Sequence, residues 1–211
     1  MKGTFIIALL LCIFTDTIAQ ERCDTLNSVT IYSGKKKHKK LLGKGTRFPG
    51  GVTQWTPDKV GAEVGSLINV KHPFEVEEIQ FSTQSNTIDS LKLRIEIRRT
   101  EKLDSSILEK PIEIDVPKGE KQKFRIIPEK QLIIEPGEYF FAVVFADCSD
   151  EAKRRRSSNA CRDSKQRYKM QKESILFPLY FKASYIRSGK GEELEKIPVN
   201  LGLKVKGTEY R

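Results

Sequence analysis

The sequence predicts an all-β protein, an antiparallel β-sandwich of jelly-roll-like type that follows a cleaved signal peptide. Three features carry that expectation. Apolar residues recur with a period of two in short runs between Trp55 and Val205. Turn chemistry built from Pro, Gly, Asn and Asp separates those runs at intervals of roughly ten residues. After the N-terminal apolar run, no amphipathic helical pattern of about ten or more residues appears.

The N-terminus opens with Met1 and Lys2, continues through an apolar run over 5–14, and reaches small residues at Thr17, Ile18 and Ala19. This is the pattern of a secretory leader over residues 1–19, cleaved before Gln20. The run is too short for a permanent membrane span, and no later segment approaches the roughly 20 apolar residues a spanning helix needs. Residues 20–28 read as a leader and residues 29–207 as one sandwich domain. Export to the periplasm, the outer-membrane surface or the medium follows.

The strongest β pattern lies at 74–99. Leu91, Leu93, Ile95 and Ile97 alternate with Lys92, Arg94, Glu96 and Arg98, as a half-buried strand requires. Upstream, Phe74 and Val76 stand in one phase, and Ile79 and Phe81 in the other. One extra residue near Glu77 and Glu78 would restore the inward set, so a β-bulge is expected there. Residues 29–32 form a short strand candidate, whereas 35–40, 43–46 and 49–51 have turn or loop composition. Trp55 reads as a buried sandwich tryptophan or as a ligand-stacking platform. Residues 60–70 alternate loosely, and Gly61 and Gly65 hint at a bulge or a close backbone approach.

Residues 100–110 are polar, with a helical turn expected over 105–108. Strands follow at 112–116, 124–126 and 132–134. Residues 139–146 are apolar on both faces, which places them in mid-sheet with both faces covered. Residues 149–174 read as a long basic loop. The end resumes the β pattern with Phe177, Leu179 and Phe181 on one face, then Leu201, Leu203 and Val205 before a polar terminus.

The 211 residues are 38% hydrophobic and 31% charged, enough for one sizeable core, and carry a formal charge of +10. The cations cluster at Lys35, Lys36, Lys37, Lys39 and Lys40, and at Arg154, Arg155 and Arg156. A polyanion partner such as acidic glycan, lipopolysaccharide or extracellular nucleic acid is one expectation from them. Solvated loops are the other. Export argues against a nuclear or ribosomal nucleic-acid role.

Loss of Cys12 with the leader would leave three cysteines. Cys148 and Cys161 flank the basic loop and are the disulfide candidates, a bridge worth roughly 3 kcal/mol on the loop-entropy account. Alternatively, Cys148 is a small buried hydrophobe. No CxxC pair or Cys/His cluster supports zinc, Asp147, Asp150 and Glu151 lack calcium-loop spacing, and no cofactor motif is present. A Ser-His-Asp hydrolase would have to use His38 or His72, and neither has an acid partner set by spacing.

The progression Trp55, Phe74, Phe81, Asp89-Ser90-Leu91, Arg94-Ile95, Leu108, Pro111-Ile112, Pro136-Gly137-Glu138-Tyr139-Phe140 and Asn200-Leu201-Gly202-Leu203 resembles a β-sandwich module of exported Gram-negative proteins. That module often follows carboxypeptidase-like regulatory domains. The resemblance implies a jelly-roll-like fold and an envelope location, with no catalytic residues to carry over. The chain lacks the regulatory domain and inserts the basic segment. The expected function is a non-enzymatic exported binding or interaction domain, its partner a surface polymer or an envelope protein. Polyanion binding through the basic loops and hydrolysis are the alternatives.

Overall fold

A computed structural model describes residues 36–43, 45–157 and 173–211, with the side chains of 155–157 excepted. The expected signal peptide, the 29–32 strand, Cys23, Lys35 and Cys161 lie outside the described residues. Within Lys35–Arg211, one compact unit, the chain forms an antiparallel β-sandwich of a five-stranded and a nine-stranded sheet.

The smaller sheet contains β1 (Lys37–Leu42), β14 (Lys204–Tyr210), β4 (Phe74–Ser82) and β10 (Leu132–Ile134) in that order, and β9 (Lys123–Ile126) also pairs with β4. The larger sheet runs β7 (Ile112–Val116), β6 (Leu91–Arg99), β11 (Gly137–Asp147), β3 (Glu63–Val70), β12 (Ile175–Arg187), β5 (Ser85–Asn86) and β8 (Gly119–Glu120). β2 (Thr46–Trp55) and β13 (Glu195–Asn200) pair with β12 as well.

The inward sets of both sheets meet in one core. β4 contributes Phe74, Val76, Ile79 and Phe81, β6 contributes Leu91, Leu93, Ile95 and Ile97, and β11 contributes Tyr139, Phe141, Val143 and Phe145. The phase change inside β4 is a bulge at Glu77. Lys206 faces Glu78 and Gly207 faces Val76, so one residue of β4 has no opposite number. Tyr139 fixes the crossing from β10 into β11 by donating its hydroxyl hydrogen bond to the Glu135 carbonyl at 2.9 Å. This resembles the tyrosine corners of other sandwiches.

The second apolar face of β11 is covered, as its composition requires. Phe140, Ala142, Val144 and Leu67 form a separate cluster under Leu103, Tyr185 and Leu194. Gly65 permits a close approach here, since a Cβ at that position would lie 2.0 Å from the Phe141 carbonyl oxygen.

Five segments differ from the expectation, one of them being 49–51, which lies inside β2 and not in a turn. The lysine run is a strand, β1, and not a loop, because Leu42 packs on the core while the backbone pairs with β14. The supposed polar terminus is a strand of the small sheet, so the sandwich extends through Tyr210. Its inward position 207 is a glycine against the Phe74 ring, which hides the alternation. No helical turn forms over 105–108. The basic segment begins as a short helix, α1 (Asp150–Ser157), capped by a Ser149 Oγ that accepts from the Ala152 amide at 3.2 Å. Ala152, buried, anchors α1 to the core.

Candidate contact surface

Two cations of the lysine cluster, Lys39 and Lys40, pair with the protein's own acids. Lys36 is tied to Arg211 by reciprocal backbone hydrogen bonds of 3.0 Å, and the Lys37 ammonium lies 5.7 Å from the Tyr210 ring centre. Lys39 donates to Glu77, which also accepts from Thr208, and these bonds hold the Glu77 carboxyl below the usual glutamate range. Lys40 pairs with the buried Glu209 at 2.5 Å, and that bond, followed by Arg211, lowers the Glu209 pKa. On α1, Lys153 pairs with Asp147 at 2.5 Å and Asp150 at 3.5 Å, whereas Arg154 is exposed. Arg155 and Arg156 lie on the same helix, their side chains outside the described set.

Trp55 offers no face to a ligand. It is 3% exposed, with Phe177 edge-on at 4.8 Å and Phe145 stacked at 6.3 Å. This corrects the stacking-platform expectation. The indole fills the end of the core because Trp55 closes β2 where Ile175 pairs with it. Cys148 carries a free, buried thiol, and burial pushes its pKa up. The bridge proposed to Cys161 is therefore absent at Cys148. His38, on β1, and His72, in the 71–73 turn, are both exposed.

Two arrangements were missed by sequence reasoning. The first is an alternating chain of charges on the outer face of the large sheet, Arg94, Glu96, Arg98, Glu63 and Arg187. Arg98 grips Glu63 through two bonds of 2.9 Å and also donates to Glu96. Arg94 Nε approaches Glu96 at 2.7 Å, and Arg187 Nε approaches Glu63 at 3.3 Å, both without hydrogen-bond alignment. Burial is the largest influence on Arg98 and acts to lower its pKa. The bonds and charges of Glu63 and Glu96 outweigh it, so the net shift is upward. Hydrogen bonds from Arg98 to Glu63 and Glu96 hold the centre of this chain, which makes it a lock on the sheet.

The second is an exposed apolar surface where β2 pairs with β12. Phe48 and Phe181 meet with ring centres 4.7 Å apart at 50°, and Phe181 remains 53% exposed. Val52, opposite Pro178, is also exposed. Phe181 was expected inward with Phe177. The register shift here inserts residues 48–51 on β2, between the Val52–Pro178 and Arg47–Tyr180 pairs, so Phe181 keeps the parity of Phe177 but is not covered by the core.

Among the described residues, no group of three or more His, Cys, Asp or Glu is placed to hold a metal, and no helix is long and apolar enough to cross a membrane. No family model, curated protein or solved structure matches this chain. The surface around Phe48 and Phe181 therefore has to be read from its own chemistry.

Proposed function

We propose that the chain is a non-enzymatic, exported binding domain of the cell envelope, and that the Phe48–Phe181 surface is its contact site. The observation that carries this reading is an aromatic pair left half in solvent on a sheet whose remaining aromatic residues are mostly buried. Isolated exposed apolar residues are ordinary, but two phenylalanines in ring contact form a patch. The polyanion alternative has less support. Lys39 and Lys40 spend their charge on Glu77 and Glu209.

The test is a photoreactive phenylalanine analogue at position 181, compared with one at Gln80 on the small sheet. Irradiation in the exporting cell should give an adduct from position 181 and none from position 80. Equal labelling from both positions, or none from 181, would refute the contact site.

A further inference from the structure

We infer that the outer face of the small sheet is a second binding surface, one for a linear acidic polysaccharide, separate from the Phe48–Phe181 contact. Val205 of β14, Ile79 and Phe81 of β4, and Phe124 and Ile126 of β9 pack on the core. Alternation therefore sends Lys204, Lys206, Glu78, Gln80, Ser82, Lys123 and Arg125 to the opposite face. Register sets them in rows: Lys204 and Arg125 flank Gln80, Lys206 stands beside Glu78, and Lys123 beside Ser82. Four cations against one carboxylate leave three positive charges in excess on three adjacent strands. Glu78 is already shared, since it accepts from Lys206 at 3.2 Å and lies 3.7 Å from Arg125 Nε. Lys123 and Lys204 have no acid partner among the described residues. The acids at the other end of the face are occupied from within, Glu75 by Tyr210 and Gln131, and Glu77 by Lys39 and Thr208. These four cations belong to neither basic cluster of the sequence.

A polyanion that lies flat complements such a face. Single-stranded nucleic acid binds by stacking on aromatic rings, and none of these outward positions is aromatic. A bilayer takes up apolar side chains from the centre of a contact surface. Here the centre is Gln80 and Ser82, and the exposed Leu41 and Ile127 stand outside the cationic rows. An extended glycan fits both features. Its hydroxyls suit Gln80 and Ser82, and two of its acid groups can reach Lys204 and Arg125, which stand two strand spacings, or roughly 10 Å, apart.

The experiment measures binding of the purified protein to hyaluronan, a linear glycan with one carboxylate per disaccharide, with dextran as the uncharged control. Hyaluronan should bind and dextran should not, and the affinity should fall as salt rises. Lys204→Ser and Arg125→Ser should each weaken binding about threefold and make its salt dependence less steep, with the thermal midpoint near that of the parent. Arg154→Ser, which removes one exposed cation from α1, and Phe48→Ser with Phe181→Ser should leave hyaluronan binding unchanged. Absence of binding, equal binding to dextran, or a loss from Arg154→Ser as large as that from the sheet variants would overturn the assignment. So would tighter binding to vesicles containing phosphatidylglycerol or to single-stranded DNA. Because the readout does not pass through Phe48 or Phe181, this surface and the aromatic contact stand or fall separately. The crosslinking comparison at position 80 belongs in cells that make no acidic polysaccharide.

Discussion

Replacing Arg98 by methionine tests the charge chain that locks the outer face of the large sheet. Arg98 is 6% exposed, and its fork bonds both oxygens of Glu63, itself 1% exposed, while a third contact reaches Glu96. Arg98→Met removes the shared cation and leaves two buried carboxylates. Glu63 then has only the misaligned Arg187 Nε at 3.3 Å, and Glu96 only Arg94. Stranding buried charges in this way costs about 3–5 kcal/mol. For a domain of this size that lowers the thermal midpoint by about 6–20 °C. Arg94→Ala, at the more exposed end of the chain, should cost less than about 1 kcal/mol. Converting the central trio together, with Glu63→Leu, Glu96→Leu and Arg98→Met, should recover much of the loss, because no unpaired charge remains. Urea unfolding followed by the emission of Trp55, the one tryptophan, reads all three variants. If Arg98→Met unfolds within about 1 kcal/mol of the parent, or if the triple variant is no better than the single one, the argument is wrong.

Gly65→Ala should cost about 1–3 kcal/mol, because its Cβ meets the Phe141 carbonyl oxygen and the Phe140 ring and forces β3 from β11. A neutral result in the same urea assay would mean that the strands yield freely. Acid should loosen the fold. Lys39 lowers the folded pKa of Glu77, Lys40 that of Glu209 and Lys153 that of Asp147, so their stabilisation is full above the unfolded values of 4.5 and 3.8 and is lost as pH falls through the lower folded ones. A thermal midpoint that stays flat as pH drops below those values would contradict this. Cys148 should resist iodoacetamide in the native protein and react after unfolding, since its thiol is buried and its pKa raised. Peptide mapping that finds Cys148 alkylated at the native stage would disprove its burial.

What the sequence made legible was set by clean alternation. β6 shows Leu91, Leu93, Ile95 and Ile97 against charged neighbours, and all four are buried. The bulge at Glu77 was readable because the phase of apolar residues slips across it. β14 was not readable, because its inward positions, Val205, Gly207 and Glu209, include one residue without a side chain and one acid satisfied by Lys40 and Arg211. α1 escaped notice because Ala152 alone anchors eight residues. The contact surface was hidden for a similar reason. Phe181 has the parity of Phe177, and only the packing of the folded chain, which covers Phe177 and leaves Phe181 in solvent, tells the two apart. The charge chain draws on three strands, and nothing in the linear order places Glu63 and Arg187 beside Arg98.

The most direct test of the central claim, that this sandwich makes contact through Phe48 and Phe181, uses tryptophan as a positional reporter. In the parent protein, Trp55 is enclosed by the core, so its emission should be blue-shifted and unchanged on addition of envelope membranes. With Phe181→Trp in a Trp55→Phe background, the reporter should emit as a solvent-exposed indole and shift to the blue as membranes are added. A shift from Trp55, with none from the reporter at 181, would contradict the account.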